Sequence, residues 1–117
     1  MKARNELYPV FLKVNNLNIL VVGGGNVGHE KLHFLLKSSP NANVEVVAKW
    51  FAPETEALAK KHDIKLIKGR YRKKYLKKRH IVVAATNDAR LNKRVHRHAK
   101  RRYLLANIAD TPELCDF

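Results

Sequence analysis

The chain has 117 residues, enough for one layered core and too few for two domains of ordinary size. Apolar residues make up 45% of it, yet no uninterrupted apolar run approaches the roughly 20 residues that cross a bilayer, which excludes a spanning helix. With 24 Lys+Arg against 10 Asp+Glu, the net charge of +14 makes the surface attractive to polyanions without saying which one.

The N-terminal "MKARNELYPV" opens with basic residues but has no continuous apolar core and no small-residue cleavage site, so no secretory signal is expected and the cytoplasm is the default compartment. "LYPVFLKVNNL" reads as an extended segment that covers an edge or the base of a sheet. "LNILVVGGG", Leu17 to Gly25, is a β-branched apolar run ending in glycines, the pattern of a strand buried on both faces. "VGHEKLHFLLKSS" then reads as a helix, stopped around Pro40. "ANVEVVAKW" is a second strand and "APETEALAKKHD" a second helix with Pro53 in its first turn. "IKLIKGRY" is expected to be a third strand with alternating side chains, followed by a basic, partly helical segment within "KGRYRKKYLKKRH". "HIVVAATND" is the clearest buried strand, "ARLNKRVHRHAKRRY" a basic helix, and "LLANIADTP" a fifth strand broken by Pro112. Cys115, the sole cysteine, excludes an internal disulfide and reads as an inert thiol.

Strand alternating with helix along the whole length predicts one α/β domain over residues 1–117. The expected architecture is a Rossmann-like three-layer α/β/α sandwich with a mostly parallel five-stranded sheet in the order 3-2-1-4-5. In that topology a ligand binds outside the carboxyl ends of the first and fourth strands, where the strand order reverses.

Two motifs overlap just there. Gly23, Gly25 and Gly28 spell G-x-G-x-x-G between a strand and a helix: Gly23 for the tight turn, Gly25 for approach of a phosphate, Gly28 for close packing of helix on sheet. The helix that follows offers N–H groups and a positive dipole end to a pyrophosphate. His29-Glu30-Lys31-Leu32-His33 spells H-E-x-x-H, which in a zinc hydrolase needs a third ligand from elsewhere. With Gly28, Leu32 and Leu35 facing the sheet, His29 and His33 fall on the exposed flank, and no third ligand is placed by the topology, so no metal is expected.

The acidic residue that usually holds the adenosine ribose, about 20 residues past the glycines, is missing. Ala48, Lys49 and Trp50 stand in its place; Lys49 suits a ribose or a 2′-phosphate, and Trp50 an adenine. Thr86, Asn87 and Asp88 close the fourth strand and offer polar groups across the crevice, or simply cap the next helix. Asp110 ends the fifth strand, as an acid beside the crevice or as an ordinary turn residue before Thr-Pro.

The glycine loop, "LYPVFLKVNNLNILVVGGGNV", "HIVVAATND" and "NIADTPELCDF" together resemble the precorrin-2 dehydrogenase and sirohydrochlorin ferrochelatase family, the N-terminal NAD-binding part of siroheme synthases, over essentially the whole chain. The resemblance implies NAD-dependent oxidation of precorrin-2 to sirohydrochlorin, with ferrous iron insertion in some members. It implies a polycarboxylate tetrapyrrole as substrate, a possible homodimer, and a catalytic aspartate at Asp110. It implies cofactor contacts at Gly25, Asn26 and Val27, at Lys49 and Trp50, and around Thr86 and Asn87. Family members more often carry Ala at position 28, a less bulky residue at 29 and Pro at 49, and they continue past position 117 into a part that supplies dimer contacts and much of the tetrapyrrole pocket. The expectation is therefore an altered or excised domain, reduced to cofactor binding or still active. Two alternatives stand beside it: a nucleic-acid-binding module using the basic stretches with Tyr71, Tyr75 and Tyr103 for stacking, and a metal or hydrolytic site at His29 and His33.

Overall fold

A computed structural model describes residues 6–117; of the basic N-terminal decapeptide read above, residues 1–5 lie outside the described residues. Five strands form one parallel sheet: β1 (Asn18–Val22), β2 (Asn43–Ala48), β3 (Lys65–Lys68), β4 (Ile81–Ala84) and β5 (Leu105–Ile108), in the order β3-β2-β1-β4-β5. Between them run α1 (Asn26–Ser38), α2 (Pro53–His62) and α3 (Ala89–Arg101). This is the Rossmann-like arrangement expected from the alternation of apolar runs with amphipathic segments.

The strands are parallel because each connection carries the chain back across one face before the next strand begins. β1 lies between β2 and β4, with Val21 opposite Val46 on one side and Val83 on the other. Side chains alternate between two apolar layers. Ile19, Val21, Val46 and Val83 meet Leu32 and Leu36 of α1 on one face. Leu20, Val22, Val82 and Ile108 meet Val95 and Ala99 of α3 and Leu76 on the other. Leu32 and Val95 are fully buried, so Leu32→Ala would cost about 3 kcal/mol.

An ion pair clamps the amino-terminal end of this sheet. Arg79, mostly buried, donates to the carbonyls of Tyr75 and Ile19 and to the carboxylate of Glu45, which Lys65 also approaches at 3.8 Å. Asn18 N–H donates to His80 Nδ1 at 2.8 Å on the same side.

Three expectations change. The fifth strand does not run to Pro112: it stops at Ile108, Ala109 N–H makes a last bond to Ala84 O, and Asp110 turns the chain with φ of 59°. The third strand alternates in direction but not in burial: Leu66 and Ile67 point to opposite layers and are both half-buried between exposed Lys65 and Lys68, because an edge strand is partly covered on either face. The basic segment after it is partly helical as expected, with a 3-10 turn at Lys73–Leu76 anchored by buried Leu76. The opening segment covers part of one sheet face rather than an edge: Val14 packs on the core, while Val10 and Phe11 flank a groove with Phe34 and Leu35 of α1 and Val83 of β4. No helix among the described residues is long and apolar enough to cross a membrane.

Candidate functional site

The site is built on the bend from β1 into α1. Gly23 has φ of 134°, a region closed to side chains, and a Cβ there would stand 2.1 Å from Ala85 O. Gly28 completes the interlock from the helix side, since a Cβ on it would meet Gly23 O at 2.2 Å. As packed here, α1 and the bend leave no room for a Cβ at either place. Gly25 differs: the nearest atom to a Cβ built on it is Trp50 Cζ3 at 3.7 Å, so the backbone there is open to a ligand.

Gly25 is also the residue before α1, with no side-chain cap on the helix, so the first N–H groups of Asn26, Val27 and Gly28 have no partner within it. Those groups and the aligned peptide dipoles make this end receptive to an anion. Such a cradle fits a pyrophosphate, and the carboxyl ends of β1 and β4 are where a parallel sheet of this order binds one.

Loop hydrogen bonds hold the bend in place. Gly23 N–H donates to Val47 O at 3.0 Å, and Gly24 O accepts from Ala52 N–H at 2.8 Å and from the Thr55 hydroxyl at 3.0 Å. Thr55 is fully buried, and a Cβ on Gly24 would collide with Trp50 O at 2.3 Å. Neither Gly24 nor Thr55 was singled out from the sequence, because the contact that makes each matter spans some 31 residues of chain.

A crevice of about 280 Å³ opens from this bend. It gathers the sequence-predicted Gly23, Gly25, Lys49, Trp50, Thr86 and Asn87 around one opening, with Gly69 and Tyr71 adding a wall that sequence reasoning missed. Asn26 and Val27 follow the bend in the first turn of α1. Thr86 has a second duty: its hydroxyl donates to Asn92 Oδ1 at 2.6 Å and accepts from Asp88 N–H, while Asn92 Nδ2 returns a bond to Thr86 O. Asn92 is buried and locks the loop; Asp88 accepts from Arg90 and Leu91 N–H as the cap of α3. Of the three residues closing β4, Thr86 is half-buried while Asn87 and Asp88 are exposed, and the loop's hydrogen bonds fall on Thr86 and Asp88.

Tyr71 and His98 stack at 5.9 Å between centroids, with a 2.9 Å contact from the phenol oxygen to Nδ1. Burial pushes the Tyr71 phenol up to about 12, against the opposing pull of Arg102 and Arg94. Burial, then the cations Arg102, Lys73, Arg94 and Arg97, hold the His98 pKa below its ordinary value. The phenol thus keeps its proton and shares a hydrogen bond with the imidazole.

Asp110 lies elsewhere on the carboxyl side. It is exposed in the turn after β5 and lines a separate open recess with Lys31, Asn107 and Thr111. Asn107 Nδ2 donates to Phe117 O, but its Oδ1 is buried without a hydrogen-bond partner. Cys115 closes the floor, its thiol 3.2 Å from Ile108 O and accepting from Ile108 N–H. His29 and His33 stack on the flank of α1 at 6.0 Å, with Phe34 edge-on to His33. Among the described residues no group of three or more His, Cys, Asp or Glu side chains is placed to hold a metal.

Residues 10–117 match the family model described as "Putative NAD(P)-binding". Curated relatives include siroheme synthases of Psychrobacter sp. strain PRwf-1, 37% identical over 94% of this chain and 22% of that protein, and of Actinobacillus succinogenes, 39% identical over 94% and 23%. The siroheme synthase of Baumannia cicadellinicola is 36% identical over 96% of this chain and 24% of its own length. The chain thus spans less than a quarter of the length of these relatives. Among solved structures, the precorrin-2 dehydrogenase SirC superimposes with a TM-score of 0.75 at 28% identity, over 87% of this chain and 50% of that one. A lactate dehydrogenase from Eimeria maxima, at a TM-score of 0.53 and 14% identity over 88% of this chain and 38% of its own, shares the fold alone.

Proposed function

Since the chain belongs to the NAD(P)-binding family of precorrin-2 dehydrogenases and siroheme synthases, we propose that it binds a nicotinamide dinucleotide across the glycine bend and serves the oxidation of precorrin-2 to sirohydrochlorin. The observation that carries this reading is the interlock of Gly23 with Gly28 beneath an uncapped helix start, with Gly25 open between them. That arrangement fixes backbone N–H groups around a diphosphate before it arrives, so little freedom is lost on binding.

A bound oxidised nicotinamide would take a hydride from the tetrapyrrole. The balancing proton must leave the same substrate, from carbon or from a pyrrole nitrogen, and Asp110 is a carboxylate at this end of the sheet with room to receive it. Asn107 Oδ1, buried and unpartnered in the same recess, is suited to accept from a substrate N–H. Lys31 beside them and the cations of α3 favour approach of a polycarboxylate.

Two measurements test the proposal. Adding oxidised nicotinamide dinucleotide should raise the melting temperature and quench Trp50 fluorescence; no response at millimolar concentration defeats it. With precorrin-2 present, formation of sirohydrochlorin should follow by absorbance, and Asp110→Asn should abolish that step while cofactor-induced stabilisation persists.

A further inference from the structure

His29 and His33 line neither the dinucleotide crevice nor the recess of Asp110, and we propose that together they chelate a borderline divalent transition metal, of the class of Cu2+ and Ni2+, on the flank of α1. Four residues apart, they project from one side of the helix. Their rings face each other with centroids 6.0 Å apart and planes 20° from parallel, and Phe34 packs edge-on against His33 at 5.6 Å. An ion held at about 2.0 Å by one nitrogen of each imidazole sets the centroids about 4.5–5 Å apart. Rotation of the exposed His33 side chain closes that gap, while buried Leu32 and Leu36 keep the backbone of α1 in place.

Both rings have a nitrogen to give. Neither makes a hydrogen bond or an ion pair among the described residues, so each keeps a lone pair for a metal. The other four histidines of the chain lack one condition or the other. His80 Nδ1 already accepts from Asn18 N–H, and His98 Nδ1 meets the Tyr71 hydroxyl with Lys73, Arg94, Arg97 and Arg102 around it. His62 and His96 have no His, Cys, Asp or Glu three or four residues away to share an ion.

Ligand chemistry selects the ion. Imidazole suits Cu2+, Ni2+ and Zn2+, with Cu2+ the tightest, whereas Mg2+ and Ca2+ demand oxygen. A resident zinc centre takes three or four protein ligands; two leave the remaining positions to water, so the metal held here is exchangeable. Charge works against it and for it. The net charge of +14 and the positive end of α1 repel a cation, while Glu30, exposed, three residues before His33 and in no ion pair among the described residues, attracts one. Salt screens the repulsion beyond about 8 Å and leaves the short coordinate bonds to decide.

The test is calorimetric titration of the full chain, without a polyhistidine tag, with Cu2+, Ni2+ and Mg2+ at about 0.15 M salt. One equivalent of Cu2+ should bind, more tightly than Ni2+, with no response to Mg2+, and the electron paramagnetic resonance of bound Cu2+ should show nitrogen ligation. His29→Ala and His33→Ala should each weaken Cu2+ binding by at least the tenfold or so that loss of even a supporting partner costs a metal site. His62→Ala, on another helix, should leave it within about twofold. Without metal each variant should melt within about 3 °C of the unaltered chain, so a lost site is not a lost fold. No binding at millimolar Cu2+, or full affinity retained by either the His29 or the His33 variant, overturns the proposal; neither result touches the dinucleotide reading.

Discussion

The two ends of the sheet's carboxyl edge are built in opposite ways. At β1 and β2 the backbone is held from several sides: Gly23 N–H by Val47, Gly24 O by Ala52 and Thr55, and Gly28 against the Gly23 carbonyl. At β5 the strand lasts four residues, the chain turns through Asp110, and Asn107 Oδ1 is left without a partner. A diphosphate is recognised by N–H groups whose positions cannot drift, so its cradle is overdetermined. Under the proposed function Asp110 exchanges protons, which needs access, and its surroundings are correspondingly loose. On the proposed reading, stability and chemistry fall to different strands.

Substitutions should separate the two regions. The largest effect belongs to Gly28→Ala, whose methyl would be driven into a backbone carbonyl with no flexible neighbour to yield. A loss of at least about 3 kcal/mol, or roughly 10 °C in a circular-dichroism melt, is expected together with loss of dinucleotide binding. Arg79→Ala, at the far end of the sheet, should cost about 2 kcal/mol by stranding Glu45 and freeing two carbonyls, yet leave cofactor affinity within about twofold. If affinity fell as sharply as stability, the cradle would not be the local device described.

Thr55→Val tests the tie between bend and α2. It removes one buried bond to Gly24 O at nearly constant volume, so about 1 kcal/mol of stability and a few-fold of dinucleotide affinity should go together. Smallest of all is Asp110→Asn: the side chain is exposed and asparagine tolerates the φ of 59°, so stability should change by less than about 0.5 kcal/mol while precorrin-2 oxidation is lost. A pH titration adds a check on the crevice wall. Because the folded Tyr71 phenol holds its proton up to about 12 and an unfolded one releases it near 10, its contribution is intact below pH 10 and is lost between pH 10 and 12. Tyr71→Phe should melt with a shallower decline across that window.

Much of this was legible in advance because the informative signals were local. Five apolar runs separated by helical patterns gave the strand order, and three glycines at fixed spacing marked the bend that the structure realises. Asp110 could not be placed from the pattern, since "NIAD" continues the apolar run while the backbone has already left the sheet at Ile108. Thr55, Asn92 and Tyr71 were overlooked as parts of the site because their partners, Gly24, Thr86 and His98, depend on how the loops meet in space. Thr86 shows the reverse case: a polar residue at a strand tip looks available for a ligand, but its hydroxyl is already used within the loop.

The double acceptance at the Gly24 carbonyl also bears on how the molecule assembles. Ala52 and Thr55 stand on the far side of β2, so the phosphate cradle cannot acquire its final shape until the second strand has paired and the following helix has begun. The first half of the chain should therefore mature as one cooperative unit, and amides of the bend should exchange with deuterium at the pace of β2 rather than at the pace of a surface loop.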